Sequence, residues 1–123
     1  MSNIDEILTR RVTNIIPSKS KLQELLNSGK KLNVYLGIDP TATRIHIGHA
    51  VALRKLQEFV ELGHNITFLI GDATALIGDT SDKDAERPML DKKVVMANLR
   101  SYKAQVAKLI DMKKAEFCFN SVW

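Results

Sequence analysis

Tyr35-Leu36-Gly37-Ile38-Asp39-Pro40-Thr41-Ala42-Thr43-Arg44-Ile45-His46-Ile47-Gly48-His49 changes its pattern twice. Its start belongs to an apolar run, Leu32 to Ile38, that reads as a strand and stops at Asp39-Pro40, where proline cannot continue a ladder. The polar stretch Thr41 to Ile45 reads as a loop, and from Gly48 the period becomes helical. Val51, Leu53, Leu56, Phe59, Val60 and Leu62 give that helix a broad apolar surface, suited to packing on a sheet, and Gly63 closes it.

Downstream the pattern repeats. Asn65 to Ile70 predicts a second strand, and a glycine- and aspartate-rich stretch runs from Gly71 to Pro88. A long helix is expected from about Asp91 to Met112, on Val94, Val95, Leu99, Tyr102, Val106, Leu109 and Ile110, and a third strand at Ala115 to Phe119. Upstream, Asn3 can cap a short helix through Ile7 and Leu8 to about Val12, with Glu6 placed for a capping box. Ser20 with Gln23 repeats that signature before Leu22, Leu25 and Leu26, and Gly29 supplies the stop. The expected fold is α/β: two short helices, then three strands with crossover helices, the first half of a Rossmann-like doubly wound parallel sheet. Residues 1–31 would form the helical N-terminal part and 32–123 the sheet part. Ligands in such sheets bind beyond the carboxyl ends of the strands, here Gly37-Ile38-Asp39, Ile70-Gly71-Asp72 and Asn120.

Bulk properties narrow the class. In 123 residues, 45% apolar and 26% charged, one packed domain is expected. The first twenty residues carry charges throughout, and no apolar run approaches a bilayer-spanning length, so a soluble cytoplasmic protein with no membrane partner is the expectation. The lone Cys118, within Phe117-Cys118-Phe119, excludes an internal disulfide and reads as a core thiol. A net charge of +4 suits a phosphate-rich partner but is equally common without one.

His46 and His49 lie three apart where a loop becomes a helix, and Gly48 between them admits close approach of a ligand to the backbone. A helix start offers free N–H groups and a positive dipole end, good for phosphate. Chemistry alone also leaves open a zinc pair, although no suitably spaced third ligand is visible, or an incidental loop. Tyr35 on a strand, Asp79 at a turn and the charges Lys83 and Arg87 each have an ordinary structural reading as well.

The segment nevertheless resembles a known family. His46-Ile47-Gly48-His49 matches the His-x-Gly-His signature of class I aminoacyl-tRNA synthetases. Gly37-Ile38-Asp39-Pro40-Thr41-Ala42 before it, Phe68 to Asp79 after it, then Ser81, Lys83, Glu86 and Arg87, follow the order and spacing of tyrosyl-tRNA synthetases. That resemblance implies an enzyme that activates L-tyrosine with ATP and transfers it to tRNA(Tyr), with Mg2+ on the ATP phosphates, no protein metal site, and a homodimeric full-length form. It implies that Tyr35, Asp39, Thr74 and Asp79 bind tyrosine, that Gly37, Thr41, His46, Gly48 and His49 serve ATP, with Thr41 and the two histidines catalytic, and that Lys83 and Arg87 sit on a mobile loop. Tyr35 suits a phenol better than an indole, which disfavours the tryptophanyl relatives. The chain departs from the family at Thr80 and Asp82, where proline and glycine are usual, and at Leu36, where some members have a ribose-contacting cysteine. It also lacks the family's second, lysine-rich signature, the later helix with a second phenol-binding carboxylate, the dimer interface and the anticodon-binding domain. These 123 residues are therefore expected to be catalytically incomplete alone. The remaining alternative is a nucleotide-binding fragment without catalysis.

Overall fold

A computed structural model describes residues 3–41, 43–77 and 91–122. Helices α1 (Ile4–Thr9) and α2 (Lys19–Asn27) precede β1 (Asn33–Ile38), α3 (Ile47–Glu61) and β2 (Asn65–Ile70). A single turn, α4 (Thr74–Ile77), then α5 (Lys92–Val106), lead to β3 (Ala115–Phe119), which is flanked by 3-10 turns at Met112–Lys114 and Asn120–Val122. The strands form a parallel sheet in the order β1-β2-β3, with Tyr35 level with Thr67 and Thr67 level with Glu116. Parallel neighbours require the long crossovers that α3 and α5 supply.

Alternation along β2 explains why the core lies on one face. Ile66, Phe68 and Ile70 are buried, and they join Leu53, Leu56 and Val60 of α3, Leu99 and Val106 of α5, and Ile7, Leu8 and Leu26 of the N-terminal helices in one cluster. Each such side chain contributes about 1.5–3 kcal/mol on burial. Phe68 stacks on Phe117 across the sheet, ring centroids 5.1 Å apart. On the opposite face Asn33, Tyr35 and Gly37 of β1 are exposed.

Several boundaries shift from the sequence reading. Helix α1 ends at Thr9 rather than near Val12, because Arg10 is extended and Arg11 takes a left-handed φ of 56°. Asn3 accepts from the Glu6 N–H at 2.8 Å, while the Glu6 carboxylate faces Arg10 at 3.6 Å instead of completing the box. Ser18, not Ser20, caps α2, accepting from the Lys21 N–H. Helix α5 stops at Val106, yet Ile110 beyond it is buried, so the apolar spacing there reported burial and not helix. Leu25, Val51 and Val94 are exposed, lying off the packed stripe of their helices. Cys118 is only partly buried, since β3 is an edge of the sheet.

Candidate functional site

Beyond the C-terminal end of β1 the chain must cross to α3, and α5 fixes its route. Asn98, buried, donates its amide to the Pro40 carbonyl at 2.9 Å. Ser101 and Gln105 both donate to the Thr43 carbonyl, at 2.8 and 2.9 Å, and the Gln105 side-chain oxygen accepts from the Ile45 N–H at 3.0 Å. These three polar residues lie on one stripe of the helix, a pattern visible in the sequence but not read as a loop anchor. Thr41 is exposed, and its N–H closes a tight turn onto the Asp39 carbonyl at 2.8 Å.

The anchored loop delivers His46 as the N-cap of α3. Its Nδ1 accepts from the Gly48 N–H at 3.1 Å, while the His49 Nδ1 accepts from the His46 N–H at 3.3 Å. Two imidazoles thus do the work that hydroxyl and carboxylate do in an ordinary capping box. An imidazole that accepts at Nδ1 carries its neutral-form proton on Nε2, so both rings retain an Nε2–H donor outside the cap. The ring centroids are 3.9 Å apart. Burial, then the neighbouring His46, push the His49 pKa below its usual value and favour the neutral ring. A Cβ at Gly48 would lie 2.9 Å from the His46 Cε1, so this glycine makes room for the cap itself.

Second, the strand ends are tied to one another. The Thr74 hydroxyl donates to the Asp39 carboxylate at 2.8 Å, and Asn120 donates to Thr74 Oγ1 at 3.2 Å while accepting from the Ala73 N–H at 3.0 Å. A Cβ at Gly71 would overlap both Asp39 Oδ1 and Thr74 Oγ1, so the close approach here requires glycine. Ser121 donates through its hydroxyl and N–H to Asp72, at 2.6 and 3.1 Å. Burial pushes the Asp72 carboxyl up, but the Ser121 bonds together with the backbone N–H groups of Asp72 and Ala73 outweigh it and hold the carboxyl below its usual range.

A cleft of about 360 Å³ opens between these groups, lined by Gly37, Asp39, His46, Gly48 and His49 together with apolar residues of β1 and α3. Thr74 joins it through Asp39. Gly37 has open space above it. Tyr35, 73% exposed, stands two residues earlier on the same face of β1 as Gly37 and outside the cleft wall. Asp79, Lys83 and Arg87 lie outside the described residues. Among the described residues no group of three His, Cys, Asp or Glu side chains is placed to hold a metal ion. Asn120 was legible as a polar strand end but its partners were not, since they are more than forty residues away in sequence.

The arrangement offers two imidazole donors and a helix N-terminus on one wall and a hydrogen-bonded carboxylate on the other. The chain as a whole is similar to known proteins. The family model for tRNA synthetases class I (W and Y) matches residues 27–123. A tyrosine–tRNA ligase of Shewanella oneidensis is 47% identical over the whole chain, and one of Thermotoga maritima is 45% identical over 96% of it. The chain spans 31% and 29% of their lengths, so about a third of each. In fold it is similar to a C-terminally truncated mitochondrial tyrosyl-tRNA synthetase of Aspergillus nidulans, with a TM-score of 0.74 at 24% identity, over the whole chain and 39% of that structure. From residue 27 to its last residue, the chain belongs to the class I tRNA synthetases of the W and Y family.

Proposed function

We propose that this chain is the front half of the catalytic domain of a tyrosine–tRNA ligase, with residues 1–31 as its helical N-terminal part and 32–123 as its nucleotide- and amino-acid-binding part. The observation that carries the reading is the pair of Nε2–H donors held by the two-histidine cap over the cleft that Asp39 also lines. Likeness to tyrosine–tRNA ligases over the whole chain supports the choice of tyrosine.

In this reading the tyrosine carboxylate attacks the α-phosphorus of ATP, a new oxygen–phosphorus bond forms, and pyrophosphate leaves with the electrons of the broken bond. The attacking carboxylate is already ionised, so no base is needed. Catalysis rests on alignment and on donors aimed at oxygens that gain charge. His46 and His49 donate to phosphate and ribose oxygens, Thr41 adds a hydroxyl at the loop, and Gly37 and Gly48 let the nucleotide lie close to the backbone. Asp79 and, less directly, Asp39 hold the substrate ammonium, Thr74 lines the amino-acid pocket, Tyr35 meets the phenol, and Lys83 and Arg87 serve ATP and the tRNA end. Magnesium arrives with the ATP phosphates as part of the substrate. The tRNA(Tyr) ribose hydroxyl then attacks the adenylate carbonyl and AMP leaves. A homodimeric full-length protein in the cytoplasm completes the proposal. Among the described residues no helix is long and apolar enough to cross a membrane.

Three experiments test it. ATP added to the 123-residue chain should shift the ring resonances of His46 and His49 in an NMR titration. In a chimera carrying these residues in place of the matching segment of the Shewanella ligase, ATP–pyrophosphate exchange should depend on tyrosine. Unmoved histidine signals, or exchange driven by tryptophan instead, would refute the assignment. The 123 residues alone should not charge tRNA above a His46→Ala/His49→Ala control.

A further inference from the structure

At the opposite end of the sheet, roughly 17 Å from the cleft for strands of this length, lies a larger cavity of about 450 Å³. It opens where the strands begin. Lys31 precedes β1, Lys113 and Lys114 precede β3, and all three are exposed and line it. Among the described residues none of the three has a carboxylate within ion-pair distance. Asp111, two residues before Lys113, is turned to its own loop, accepting from the Lys113 N–H at 3.1 Å. Glu116 is the one acidic residue in the lining. Asn33 and Asn65 add amide groups at the floor, where Asn65 donates to Asn33 at 2.8 Å. His64 is buried, accepts from the Leu32 N–H at its Nδ1, and has its pKa pushed down by that burial, so it adds no positive charge near neutrality.

Three exposed lysines lining one polar concavity concentrate positive charge there, and an anion with several oxygens relieves the repulsion among them. Lysine suits phosphate as a mobile point charge with three donors. We infer that this cavity, distinct from the nucleotide cleft, binds phosphate groups, supplied either by a nucleic-acid backbone or by a free polyphosphate. The inference does not depend on the proposed ligase activity, because none of its residues serves that cleft.

The test follows backbone amide NMR signals of the chain while inorganic phosphate, tripolyphosphate or a single-stranded RNA oligonucleotide is added. Shifts should concentrate at Asn65 and at 113–116 in the triple variant's absence. Replacing Lys31→Gln, Lys113→Gln and Lys114→Gln together should weaken binding tenfold or more, an order of magnitude expected for three lost phosphate contacts. A charge-matched control, Lys19→Gln, Lys21→Gln and Lys108→Gln, should weaken it by less than about twofold, as diffuse net charge alone predicts. Glu116→Gln should tighten binding, which separates the site from any loss through misfolding. RNA binding with a log–log salt slope of about −2 identifies a backbone as the source, and binding of tripolyphosphate alone identifies a free polyphosphate. Equal weakening by both triple variants, or shifts confined to the His46–His49 region, would overturn the inference.

Discussion

Helix α3 carries two polar clusters that differ in one respect. In its middle, the Lys55 ammonium reaches the carbonyls of Glu6, Ile7 and Arg10 at 3.4, 3.0 and 2.8 Å, and the Glu58 carboxylate at 2.7 Å. Glu58, 6% exposed, also pairs with Arg11, which the left-handed turn after α1 brings round. The Lys55 ammonium and both Glu58 carboxylate oxygens are matched within the chain, and the ammonium closes the C-terminal end of α1. At the start of α3, the two histidines match their Nδ1 atoms internally and leave Nε2 outside the cap. A closed cluster holds structure together, whereas an open one keeps donors beyond those its own fold uses. Both consist of charged or titratable side chains on one helix, so residue type alone does not tell them apart.

The sharpest way to break this contrast is Lys55→Met. It leaves Glu58 with Arg11 alone and the α1 carbonyls without their cation, and should cost about 3–5 kcal/mol in urea unfolding. The ATP-induced shifts at His46 and His49 should survive wherever the variant is folded. A loss below about 1 kcal/mol would mean the cluster is no more than a surface ion pair.

His49→Ala should give the reverse profile. In the chimera, tyrosine-dependent exchange should fall roughly a hundredfold, the usual effect of losing one donor to the transition state. Stability should change by only about 1 kcal/mol, as for a lost cap. Exchange close to the parent rate would move His49 to the closed class.

Tyr35→Phe should leave unfolding unchanged, because the ring is exposed, and should narrow the preference for tyrosine over phenylalanine by about 1 kcal/mol, the net value of one hydrogen bond. Parallel exchange assays with the two amino acids decide it, and unaltered discrimination returns Tyr35 to a purely structural role.

The smallest effect concerns pH. His49 and His64 both have folded pKa values below their unfolded ones, mainly through burial. Their contribution is therefore complete above the unfolded value of about 6.5 and is lost as pH falls through the lower folded values. Melting should show lower stability at about pH 5 than at about pH 7.5, and His64→Gln should reduce that slope.

How much of this was legible follows from the distance over which each interaction acts. The bounds of β2 and β3 were readable to the residue, because apolar spacing and the glycines and charges around them are local signals. The two histidines were readable for the same reason. The Asn120 bonds to Ala73 and Thr74, the Lys55 bonds to α1 and the Gln105 bonds to Thr43 join residues brought together only by the crossovers, and no local pattern encodes them. Helix ends were misplaced where burial outlasted helix, as at Ile110 beyond α5.

The grip of Asn98, Ser101 and Gln105 on the loop between Pro40 and Ile45 sets a rotational phase for α5. A helix turns about 100° for each residue. Deleting one residue between Asn98 and Gln105 would therefore swing one end of the stripe a quarter-turn or more from the other, so it could not hold Pro40 and Thr43 together. The histidine cap would then lose its footing with no histidine changed. Substitutions on the outer face of α5 leave that phase intact, so the helix should accept wide variation in composition and very little in length.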